Sequence, residues 1–91
     1  MKILAVCGNG LGTSFILSMK VNKALESLNI DALCQNMDLA SAKSEAADYY
    51  IGSPEIMEQL QDGHRKTIGI INMVSTDEIQ KALISHIIGE K

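Results

Sequence analysis

An α/β fold built on a parallel sheet is predicted by three features of this 91-residue sequence. Short apolar runs alternate with longer stretches of helical periodicity, the pattern of strands joined by helical crossovers. The first and fourth apolar runs are continuous, as strands covered on both faces should be. A glycine-rich loop falls between the first strand and the first helix, at the edge where open α/β sheets hold ligands. The 46% hydrophobic and 21% charged content is that of an ordered globular protein, and the length suits one domain over residues 1–91.

Residues 2–6 form the first strand. Helix one covers 13–28, with Leu17, Val21, Ala24, Leu25 and Leu28 on one face and Asn29 closing it. A second strand is expected over Ile30–Gln35. Asp38 then has the chemistry to N-cap a short helix within 38–47. Residues 48–52 make the third strand. Ser53 and Pro54 supply an N-cap and an N1 proline to a helix whose apolar face is Ile56, Met57 and Leu60, stopped by Asp62-Gly63.

Strand four spans Thr67–Asn72. Ser75 with Glu78 reads as a capping box opening the last helix, whose stripe is Ile79, Ala82, Leu83, His86 and Ile87. Right-handed crossovers arrange the strands as 2-1-3-4, with helices on both faces of a four-stranded parallel sheet. The order reverses beside strand one, so the loop after that strand lies in the crevice where such folds bind ligands.

Composition excludes several functions. Eight basic against eleven acidic residues give a net charge of −3, and one Phe, two Tyr and no Trp leave nothing for bases to stack on. No nucleic-acid partner is expected. No apolar run approaches the roughly 20 residues that span a bilayer, and the opening segment is too short for a signal-peptide core. A cytoplasmic protein without direct membrane insertion is expected. Cys7 and Cys34 stand far apart without a CxxC pair or zinc-spaced histidines, so neither a disulfide framework, a metal site nor a cofactor is implied.

Cys7 therefore needs its own explanation. It opens the loop Cys7-Gly8-Asn9-Gly10-Leu11-Gly12-Thr13-Ser14, which holds three of the seven glycines. Glycines let backbone N–H groups converge without a Cβ in the way, and converging amides at a helix N-terminus form an anion nest. Thr13 and Ser14 add hydroxyl donors. The first acidic residue of the chain is Glu26, whereas the later helices carry Glu55, Asp77 and Glu78 in their first turns. An external anion fits the unoccupied positive end of helix one. A thiolate at Cys7 is stabilised by the same helix terminus and amides, which makes it a nucleophile. The plainer alternative is a buried strand-end cysteine followed by a tight turn.

The loop has no Walker lysine, and its third glycine comes one position early for a dinucleotide fingerprint. Phosphate carried on sulfur fits better than a nucleotide. The pattern Cys-x-x-Gly-x-Gly-Thr-Ser after an N-terminal strand, in a chain of this size, resembles the IIB component of the bacterial phosphoenolpyruvate-dependent sugar phosphotransferase system. The loop and the later Gly-Ile-Ile-Asn-Met of residues 69–73 resemble the ascorbate-specific branch more than the lactose/cellobiose branch. The resemblance implies a phosphotransferase in which Cys7 accepts phosphate from a phosphohistidine of a IIA partner. It then passes it to a sugar or sugar acid, L-ascorbate in that branch, held by the membrane IIC component. Gly8, Asn9, Gly10, Leu11, Gly12, Thr13 and Ser14 would bind the phosphoryl oxygens. The protein would be peripheral to the inner membrane through IIC.

Alternatives remain at this level. A galactitol-type IIB would keep the mechanism. The fold and loop also resemble low-molecular-weight tyrosine phosphatases, whose Cys-x5-Arg-[Ser/Thr] signature has Thr13 here in place of arginine. A noncatalytic regulatory or thiol-redox module is a further alternative, the redox case using a reversible Cys7–Cys34 bond against the reading of Cys34 as core. His64 and Arg65 could face an anion or simply form a solvated turn. Ser53 reads as a cap and Asn72 as a strand-end residue, both on the ligand-binding edge. Met19, Met57 and Met73 read as gap fillers or partner surface.

Overall fold

Three apolar strands and one mixed strand assemble because each can bury a face only against its neighbours and the helices. The computed structural model describes residues 1–7, 11–72 and 74–89, with residues 11–14 described through their backbone alone. The strands are β1 (Lys2–Cys7), β2 (Leu33–Asp38), β3 (Tyr49–Gly52) and β4 (Thr67–Gly69). All pair in parallel, in the order β2-β1-β3-β4. The helices are α1 (Leu11–Ser27), α2 (Leu39–Ala42), α3 (Pro54–Leu60) and α4 (Thr76–Leu83), the last running into a π-helical segment, Ile84–Ile88.

Alternation along β1 feeds two cores. Ile3 and Ala5 pack on one side with Leu17, Val21 and Leu25 of α1 and Ile79 and Leu83 of α4. Leu4 and Val6 pack on the other with Ala42 of α2 and Met57 and Leu60 of α3. Each large aliphatic side chain here is essentially fully buried, which stabilises the fold by about 1.5–3 kcal/mol apiece. Since α1 and α4 cover one face and α2 and α3 the other, β1 is central and its carboxyl end lies where the chain turns both ways.

Local chemistry explains the ends. Asn29 has φ 59°. The Ile30 N–H donates to the Leu25 carbonyl at 2.9 Å and the Asn29 N–H to that of Glu26 at 3.2 Å, the pair of bonds of a Schellman motif. Asp38 accepts from the Ser41 N–H, Ser53 from that of Ile56 and Ser75 from that of Glu78, so all three expected N-caps are formed.

Four expectations need correction. The second strand starts at Leu33, not Ile30, and runs to Asp38; Ile30 is used by the helix-closing motif and packs on the first core. The fourth strand ends at Gly69, not Asn72. The capping box is only half made, because the Glu78 carboxylate accepts from the N–H groups of Ile71 (2.7 Å) and Asn72 (3.0 Å). The final stripe holds at Ile79, Ala82, Leu83 and Ile87, which face the first core, but His86 lies in a π turn and is exposed.

Tertiary ties close the remaining polar groups. Asn22 of α1 donates its Nδ2 to the Cys34 carbonyl and accepts from the Cys34 N–H, both at 2.8 Å. The Tyr49 hydroxyl donates to the His86 carbonyl at 3.1 Å. Among the described residues, no helix is long and apolar enough to cross a membrane.

Candidate active site

Cys7 is the last residue of the central strand, where β1 hands over to the loop before α1. It pairs in register with Asp38, the last residue of β2. On the other flank, Gly52 ends β3. Cys7 is buried, with 7% of its surface exposed. Parallel strands bring the ends of β1, β2 and β3 together here, so Cys7 stands at the carboxyl end of the sheet between two neighbours and not on a sheet edge.

The electrostatics favour an anion above this edge. Helix α1 has no acidic residue in its first turn, whereas α3 carries Glu55 and α4 carries Asp77 and Glu78. A negative charge beside such a helix end is stabilised by about 0.3–1 kcal/mol. Of the loop residues expected to bind phosphate, Gly8, Asn9 and Gly10 lie outside the described residues, as does Met73. Leu11, Gly12, Thr13 and Ser14 are the first residues of α1, so their backbone N–H groups belong to the helix end nearest Cys7.

The flanking elements are held by their own polar groups. Asp38 caps α2, and the hydrogen bonds from Ser41 hold its carboxyl below the usual carboxylate range. Ser53 Oγ caps α3, and Asn72 Oδ1 accepts from the Val74 N–H at 3.1 Å. Both are therefore turn builders at this edge. Glu78 clasps the segment after β4 through two backbone N–H groups. Its position three residues after Ser75 was readable in sequence, but its choice of the Ile71–Asn72 amides was not, since that requires the loop's path.

Other candidates are not brought to Cys7. Arg65 precedes β4, so it lies at the opposite, amino-terminal edge of the sheet. Its Nη1 donates to the Leu60 carbonyl (2.8 Å), its Nη2 to the Lys43 carbonyl (2.7 Å), and it pairs with Asp62 at 3.2 Å. The guanidinium also stands 5.6 Å from the Tyr50 ring centre. That is a structural clasp with its donors committed. The neighbouring His64 N–H donates to Asp62 and, with that of Arg65, holds the Asp62 carboxyl below its usual range.

The two cysteines are also separate. Cys34 pairs with Ile3, at the far end of β1 from Cys7. Four residues of strand put their Cα atoms roughly 13 Å apart, about twice the span of a disulfide. Both are thiols, and burial pushes that of Cys34 up to about 12. Cys34 is a core residue, and the redox reading based on a Cys7–Cys34 bond falls.

Comparison with known proteins adds identity to this geometry. Residues 2–85 match the family model described as the PTS system, lactose/cellobiose specific IIB subunit. The ascorbate-specific PTS system EIIB components of Salmonella typhimurium and Escherichia coli O157:H7 are each 37% identical to the chain over 90 residues, covering 96% of it and 89% of the relative. The fold is similar to the lactose-specific IIB domain of Streptococcus pneumoniae, with a TM-score of 0.66 at 14% identity, covering 96% of this chain and 97% of that one. A matched family over nearly the whole chain, on a sheet whose order and central cysteine suit it, shows that this protein belongs to the IIB family of phosphotransferase-system components.

Proposed function

We propose that Cys7 is the phosphoryl carrier in the import of a sugar acid, L-ascorbate. The observation that carries the reading is the position of Cys7, at the carboxyl end of the central strand against an α1 whose first turn lacks any acid. The ascorbate-specific relatives support the substrate.

The chemistry follows in two displacements. The Cys7 thiolate attacks the phosphorus of a phosphohistidine on the IIA partner; the S–P bond forms, the N–P bond breaks, and the imidazole keeps the electron pair. A hydroxyl of the sugar acid in the membrane IIC component then attacks phosphorus, its proton passes to solvent water, and the S–P bond breaks to restore the thiolate. Amides from Gly8 to Ser14, with the Thr13 and Ser14 hydroxyls, stabilise the phosphoryl oxygens in both steps. Positioning and electrostatics of this kind supply most of the catalysis in phosphoryl transfer. The protein works in the cytoplasm and approaches the inner membrane only through IIC.

Intact mass tests the reading. Incubation with phosphoenolpyruvate, the general phosphotransferase proteins and a cognate IIA should add one phosphoryl group to the wild type and none to Cys7→Ser. A wild type that gains no mass defeats it.

A further inference from the structure

Helix α1 has a second face that the core does not use. Phe15, Ile16 and Met19 are 54%, 46% and 57% exposed. Together with Lys20 and Lys23 they occupy a contiguous arc of about 140° at 100° per residue, turned away from buried Leu17, Val21 and Leu25. Ile16, Met19, Lys20 and Lys23 line a groove of about 310 Å³. Across the two lysines it meets another of about 300 Å³, closed by Ser27 of α1 and by Thr76 and Gln80 of α4. Among the described residues, no carboxylate lines either groove and neither lysine makes an ion pair.

We propose that this face is the docking surface for the protein that delivers phosphate to Cys7, and that it meets an apolar patch on that protein edged by carboxylates. The proposal rests on Cys7 as the phosphoryl acceptor. A carrier thiol must admit a macromolecular donor, and the face begins at Phe15, on the helix that starts at the Cys7 loop. Aromatic and methionine side chains are enriched in protein interfaces, and two ammonium groups without an ion pair among the described residues favour an acidic rim.

Other occupants fit less well. Patches that hold an anionic membrane surface cluster roughly four to eight basic residues. This face has Lys20 and Lys23 on a chain of net charge −3. A second copy meeting the face across a two-fold axis would set the lysines against one another.

The test is phosphoryl transfer from phosphorylated cognate IIA, followed by mass at varied donor concentration and varied salt. The double variant Lys20→Glu/Lys23→Glu should raise KM for the donor about tenfold with kcat within about twofold, and should abolish the rise of KM with salt seen in the wild type. Ile16→Ser/Met19→Ser should also raise KM, without changing the salt dependence. Unchanged KM in both variants overturns the docking surface while leaving Cys7 as carrier. Binding of wild type, but not the lysine variant, to phosphatidylglycerol vesicles with KM unchanged replaces it with a membrane contact. A wild type that is never phosphorylated defeats the Cys7 reading itself.

Discussion

The Val6 carbonyl oxygen stands 2.6 Å from where a Cβ on Gly52 would sit. A Met57 methyl would lie 3.0 Å away on the same side. Backbone atoms of β1 thus occupy the space of a side chain at the end of β3, one residue before Cys7.

Gly52→Ala must displace that backbone or bend β3, at a cost of about 1–3 kcal/mol. The expected result is a lower urea midpoint together with slower phosphoryl acceptance, because the displaced atoms carry Cys7. A midpoint equal to that of the wild type would refute this account of the close approach.

Asn29 offers a control on backbone strain. Its φ of 59° lies in the left-handed region, which costs most residues about 1–2 kcal/mol and glycine little. Asn29→Ala should therefore lower stability by about 1 kcal/mol, and Asn29→Gly should leave it unchanged or raise it. The order of the three urea midpoints decides the matter.

The Cys34 thiol predicts an alkaline loss of stability. Its ionisation moves from the ordinary 9.0 up to about 12 through burial, opposed by a backbone hydrogen bond from Ala5. The folded state thus holds this proton more tightly than the unfolded chain. The contribution is whole below pH 9.0 and is lost as pH rises toward 12, where the unfolded chain ionises first. Urea midpoints of wild type should fall more steeply between about pH 8 and about pH 10.5 than those of Cys34→Ala. Mild oxidation should yield no Cys7–Cys34 bond by peptide mapping.

Counted from Cys7, Thr13 falls where the Cys-x5-Arg-[Ser/Thr] phosphatase signature carries arginine. A bidentate guanidinium stabilises phosphoryl transfer to any acceptor, water included. Thr13→Arg should shorten the lifetime of the phosphorylated protein in buffer, followed by mass. An unchanged lifetime would show that the missing arginine does not set the lifetime of the proposed phosphocysteine.

Strand order, the three serine and aspartate caps and the strand-end position of Cys7 were legible because each depends on local chemistry or period. The start of β2 was not: Ile30 has the character of a strand residue, but a helix end claims it through Leu25. Glu78 misled in the same way, since its position marks a capping box while its oxygens serve amides fixed by tertiary structure. The π turn after Leu83 leaves no mark in composition, so His86 was assigned to an apolar stripe. Phe15 and Ile16 escaped notice because periodicity identifies the buried face of α1 and says nothing of an apolar outer one. For the loop, glycine spacing is the signal that singles out Cys7 as a candidate.

The Asn22 carboxamide also bears on how the protein behaves when concentrated. β2 is an edge strand. Its Leu33 N–H turns inward to Met1, so the N–H and carbonyl of Cys34 point outward, where an edge is open to any extended chain. Asn22 occupies both groups, and α2 ends the strand's free run just past Asp38. One side chain thereby covers the Cys34 share of that edge. A hydrogen-bonding pair remote from Cys7 thus blunts part of an edge on which another extended chain could pair.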